Sequence, residues 1–82
     1  MRRPLREYEV VRVIAIHDDR FALTLDLDER SPVIGDIGTI VEAYTAPEPA
    51  FEVECSDPTT GTTIWLRAMY PEELESVEGV GQ

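Results

Sequence analysis

The sequence predicts an all-β fold of five short strands with one late helical turn. Three observations carry that expectation. Runs rich in β-branched and aromatic residues recur at short intervals, at Tyr8–Ile16, Thr39–Tyr44, Ala50–Ser56 and Thr62–Ala68. Clusters of Gly, Pro, Asp and Thr separate them, as at Asp57-Pro58-Thr59-Thr60-Gly61. Apolar and polar residues alternate in several runs, which is the period of a half-buried strand.

The first run, Tyr8–Ile16, has no Gly or Pro. It sets Val11, Val13 and Ala15 on one face and Val10, Ile14 and Ile16 on the other with Arg12. Two partly apolar faces suit a small closed barrel or a strand covered by a loop. His17-Asp18-Asp19-Arg20 is a polar break. Phe21–Asp28 then alternates, with Phe21, Leu23, Leu25 and Leu27 on one side, as a half-buried strand does. Residues 17–36 read as a long, hairpin-like excursion, with Glu29-Arg30-Ser31-Pro32 closing the strand inside it.

The centre of the chain is Ile34–Tyr44, a tight turn feeding directly into a strand. Gly35 and Gly38 bracket Asp36. Glycine there permits a positive φ or a close backbone approach, and Asp36 can accept backbone N–H groups. Gly35, Asp36 and Gly38 are therefore the expected structural turn. Thr45-Ala46-Pro47-Glu48-Pro49 is a loop, because two prolines so close cannot occupy a central strand. In Ala50–Ser56, Phe51, Val53 and Cys55 alternate with Glu52, Glu54 and Ser56, so one face is core and the other wet. A turn at residues 57–61 pairs this strand with Thr62–Ala68, and Met69-Tyr70-Pro71 breaks the latter. Pro71–Glu75 suits a helical turn, with proline first and acids facing the helix N-terminus. Ser76-Val77 adds a last short strand. This order describes a small SH3-like barrel, which removes the free edges of so short a sheet. The expected organisation is a flexible basic arm at 1–7, the barrel domain at 8–77 and a flexible tail at 78–82.

Composition narrows the functional classes. Eighty-two residues make one domain with a small core. The formal charge is −10, from 17 acidic residues against 7 arginines and no lysine. Such a field repels phosphates and anionic lipids, so neither nucleic acid nor membrane is the expected partner. The charge is uneven. Residues 1–12 carry four arginines against two glutamates, a balance of +2, which leaves −12 on the remainder. No hydrophobic run approaches the roughly 18 residues of a membrane span. The N-terminal stretch lacks the apolar core of a secretory signal, since Glu7 and Glu9 follow its arginines. A cytoplasmic location is expected.

No catalytic set is evident. Cys55 and His17 are the only nucleophile and base of a Cys–His pair. Cys55 sits on an apolar strand face, where a thiol is usually inert packing. As a calcium loop starting at Asp26 the chain fails, with Ser31 at the glycine position and Ile37 where a bidentate glutamate belongs. One His and one Cys cannot build a structural zinc site. Neither metal nor cofactor is expected. Gly35-Asp36-Ile37-Gly38 matches a G-x-x-G nucleotide clamp only formally, since an acid occupies it and a strand follows. What remains is surface. Tyr44, Trp65 and Tyr70 are the candidates, since aromatic residues at strand ends gather into partner-binding patches or else complete the core.

The Gly35-Asp36-Ile37-Gly38-Thr39-Ile40-Val41-Glu42-Ala43-Tyr44 core resembles a family of small prokaryotic domains, the domain of unknown function 4926. So do the strand Phe51-Glu52-Val53-Glu54-Cys55, the run from Ile64 into Pro71-Glu72-Glu73-Leu74, and the opening Tyr8–Val13. Two features depart from the pattern: residues 17–33 are long, and Cys55 stands where an aromatic is common. The resemblance implies an SH3-like barrel and no assigned activity. The functional expectation is a non-enzymatic, acidic protein–protein interaction module with a basic protein partner and a capacity to form homo-oligomers. The alternative is an antitoxin-like or immunity-like inhibitor of a basic partner such as a nuclease.

Overall fold

The computed structural model describes residues 5–19, 21 and 29–77. Its elements are β1 (Val10–Val13), β2 (Ile37–Tyr44), β3 (Ala50–Ser56), β4 (Thr63–Met69), a 3-10 turn (Pro71–Glu73) and β5 (Leu74–Ser76). They form one five-stranded sheet in the order β4-β3-β2-β1-β5. Every pairing is antiparallel. The fold is all-β, as expected, with five strands and the late turn in place.

The expected barrel is looser than a closed one. Among the described residues no ladder joins β4 to β5, and the two are the outermost strands of the described sheet. The physical reason is local. All three residues of β5 are matched to β1. On β4, the Ile64 carbonyl accepts the Glu29 N–H at 2.7 Å, so the excursion approaches that edge and β5 does not. The strand expected within 21–28 falls on residues 22–28, outside the described residues.

Several boundaries differ from the sequence reading, three of them for a clear local reason. β1 stops at Val13, short of Ile16, because its partner strand ends at the Gly35 corner. There the Val13 N–H donates to the Asp36 carbonyl and the Val13 carbonyl accepts the Gly35 N–H, both at 2.8 Å. Met69 continues β4 because it still pairs with Phe51. β5 begins at Leu74, directly after the 3-10 turn, and Val77 donates its N–H to the Val10 carbonyl just past its end.

The core lies on one side of the sheet. Val11, Val13, Ile40, Val53, Trp65, Met69 and Leu74 are fully or almost fully buried, joined by Phe21 and Cys55. Leu5, Ile16, Phe51 and Ile64 pack against them. Two irregularities reset the alternation along the strands. β2 carries an extra residue, Val41, between Ile40 and Glu42, and β4 carries Ile64 between its partners of Cys55 and Ser56. An extra residue flips all later side chains to the opposite face.

Candidate partner-binding face

The central corner is built for close packing. Gly35 has φ +101°, a conformation in which L side chains are strained. Gly38 pairs with Val11 and lies against β3. A Cβ there would sit 2.7 Å from the Glu54 carbonyl oxygen and 2.8 Å from Val53 Cγ1. Between the two glycines, Asp36 gathers four donors. Arg30 grips it bidentately, Nη1 to Oδ2 and Nη2 to Oδ1, each at 2.9 Å. The Val33 N–H donates to Oδ2 at 3.0 Å and the Trp65 indole N–H at 2.9 Å. Burial raises the Asp36 pKa, but the Arg30, Val33 and Trp65 hydrogen bonds outweigh it and hold the carboxyl below its ordinary value. The corner thus ties the excursion to the core through one carboxylate. With its lone pairs already engaged, it has little capacity left for a ligand.

The sheet face opposite the core is where unrelieved charge collects. Glu52 and Glu54 point away from buried Val53 and Cys55. Glu42 lies directly across from Glu52, and Glu54 across from Thr39. Among the described residues no cationic side chain pairs with any of these three carboxylates. Two of them have hydroxyl partners. Thr63 Oγ1 donates to Glu54, and the Tyr44 hydroxyl donates to Glu52 Oε1 at 3.1 Å. That bond to Glu52 raises the Tyr44 pKa, with the nearby carboxylate charges adding to it. Like charges facing each other across a strand pair cost about 0.2–1 kcal/mol. The cost is small enough to persist, and a cation placed between the carboxylates removes it. Elsewhere the same face is ordinary: Arg12 pairs with the cross-strand Glu75 at 2.6 Å.

A cleft of about 290 Å³ adjoins this acidic column, lined by Phe21, Ala50, Arg67, Ala68, Met69 and Tyr70. Ala50 and Ala68 bring its rim to the outer face, while Phe21, Arg67 and Met69 stand on the core side. Ala50 faces Tyr44 across β2 and β3, and Ala68 faces Glu52 across β3 and β4. The Arg67 guanidinium lies 5.1 Å from the centre of the Phe21 ring, and the His17 and Tyr70 rings stack at 6.5 Å. Exposed Leu66, opposite Glu54, adds apolar surface on the other side.

Of the three aromatic residues singled out in the sequence, two border this region. Tyr44 stands on the outer face beside Glu52, and Tyr70 lines the cleft. Trp65 does not join them. It is fully buried, with its indole N–H bound to Asp36, so its ring completes the core and presents nothing to a partner. Sequence reading missed Glu42, Glu52 and Glu54 as a group. It also missed Tyr8, which is 74% exposed and holds φ +68° while its N–H donates to the Ile40 carbonyl.

The other chemical candidates have structural positions. Cys55 is buried, and burial together with the Asp36 charge pushes its thiol pKa up, which keeps it protonated. Among the described residues no group of three or more His, Cys, Asp or Glu side chains is placed to hold a metal ion. No helix among them is long and apolar enough to cross a membrane. Glu73 is fully buried and spans two elements. Its Oε2 accepts the His17 N–H and its Oε1 the Tyr70 N–H, both at 2.8 Å. Buried Glu9 accepts the Arg6 N–H and the Ser76 hydroxyl.

Fold and face together define a small antiparallel β-sheet domain with a mixed acidic and apolar outer surface. The chain belongs to the family described as a domain of unknown function (DUF4926), whose model matches residues 17–76. β1 and the Tyr8–Val13 stretch lie outside that span. No curated protein and no solved structure matches the chain.

Proposed function

We propose that this domain is a protein-binding module without catalytic chemistry, and that it docks a basic protein partner on the outer face of β2, β3 and β4. One observation carries the reading: Glu42 and Glu52 face each other without a counter-charge, beside an apolar cleft. The partner it suits presents an apolar side chain to the cleft and adjacent arginine or lysine side chains to Glu42, Glu52 and Glu54. Complementary charge of this kind sets encounter rate and partner choice more than raw affinity. The cleft lies just below the roughly 300–1,000 Å³ of small-molecule sites, which favours a protein side chain as its occupant. A single buried thiol suits a reducing, cytoplasmic setting.

The test is comparative capture from a source lysate by the wild-type chain and by the Glu42→Gln, Glu52→Gln, Glu54→Gln triple variant. A specific basic protein held by the wild type and lost by the variant is the expected result. Equal capture by both would overturn the assignment to this face. The same charge observation also favours an antitoxin-like or immunity-like inhibitor, in which the acidic face fills the substrate groove of a basic nuclease. A small basic protein encoded next door, inhibited by this chain and released by salt, selects that reading.

A further inference from the structure

The chain itself carries a sequence with the chemistry this face suits. Met1-Arg2-Arg3-Pro4 sets an apolar residue beside two arginines, on a chain whose net charge is −10. We infer that, in the absence of another partner, the face described under the proposed function is occupied by the Met1–Pro4 segment of a second copy of this chain. The inference rests on that reading of the face.

Geometry favours the second copy over the chain's own segment. The described chain starts at Leu5, which packs against the core, and Arg6 and Glu9 close a turn just after it. The described chain therefore begins on the core side of the sheet. Glu42, Glu52 and Glu54 stand on the opposite side, alternating with buried Val53 and Cys55 along β3. Four residues reach at most about 14 Å when fully extended. A direct path to the chain's own carboxylates would have to pass through the sheet or round its end. A second copy meets no such obstacle, and its arginines find three carboxylates that no described cation neutralises. If the exchange is mutual, each copy supplies one segment and one face, a closed two-fold arrangement.

Sedimentation velocity on the full-length chain over a range of concentration and salt tests this. The expected result is self-association that weakens roughly tenfold or more as salt screens two exposed charge pairs. Arg2→Ser/Arg3→Ser and Glu42→Gln/Glu52→Gln variants should each be monomeric, with unchanged circular dichroism. Mixing the two variants should restore a one-to-one complex, because one keeps the face and the other keeps the segment. Wild-type chain that stays monomeric at every concentration, or a mixture that does not associate, would overturn the inference. A synthetic arginine-rich peptide added to the Arg2→Ser/Arg3→Ser variant separates the two proposals. Binding at Glu42 and Glu52 without wild-type self-association removes only the second-copy inference, and no binding there removes the face itself.

Discussion

Gly38 and Gly35 are both glycines for physical reasons, but the reasons differ, and substitution separates them. At Gly38 the conformation is ordinary and the space is taken by β3. Gly38→Val should therefore destabilise by at least about 1–3 kcal/mol, the range for overpacked cores. At Gly35 nothing lies within 4 Å of a new Cβ, yet φ is +101°. Gly35→Ala should cost only about 1–2 kcal/mol, the penalty of a left-handed residue. Chemical denaturation of both variants checks the order. Asp36 makes a further residue-level expectation. Its folded pKa is depressed, so its stabilisation is complete above the unfolded value of about 3.9 and is lost as pH falls through the lower folded value. Asp36→Asn should lose about 1–3 kcal/mol at neutral pH, from weakened bonds to Arg30 and Trp65. It should also flatten the decline of stability as pH falls below the unfolded value of about 3.9. A neutral-pH stability equal to wild type would contradict the role given to this carboxylate. The partners of Asp36 were only half legible in the sequence. A turn aspartate between glycines announces local N–H bonds, but nothing local says that Arg30 and a buried tryptophan 29 residues away converge on it.

At the scale of elements, the 3-10 turn is held by a buried acid. Glu73 binds the N–H of Tyr70 within its own turn and the N–H of His17 from the segment after β1. Glu73→Ala leaves both donors without that acceptor, at about 1–3 kcal/mol each. The expected signature is a lower denaturation midpoint together with faster amide hydrogen exchange at His17 and Tyr70. Retained protection at both would show that the latch is dispensable. Strand positions were legible wherever alternation was clean. β3 has the predicted bounds and buries Val53 and Cys55 as predicted. The faces were not legible where a bulge intervenes. Simple alternation puts Glu42 on the same side as buried Ile40. The extra residue Val41 turns Glu42 outward to face Glu52 and brings Tyr44 to the same side. No residue type signals that bulge, so the acidic column could not be read from the sequence. The predicted closure was not met, for a related reason. Five strands and a turn fix the order of elements, but whether the last strand reaches β4 depends on how much of it β1 consumes.

At the scale of the molecule, the charge is the dominant sequence signal and the face gives it a location. A net charge of −10 spread evenly would favour solubility and select no partner. Here three of the carboxylates stand on adjacent strands beside an apolar cleft, a combination that can discriminate among basic partners. The most direct measurement is amide chemical-shift mapping of the full-length chain during titration with a short peptide bearing one apolar residue next to two arginines. The expected perturbations fall on Glu42, Tyr44, Glu52, Glu54 and Ala68, fade as salt is raised, and are absent in the Glu42→Gln/Glu52→Gln variant. Perturbations confined to the Gly35 corner, or scattered over the whole acidic surface and indifferent to that variant, would contradict the assignment of the outer face as the binding site.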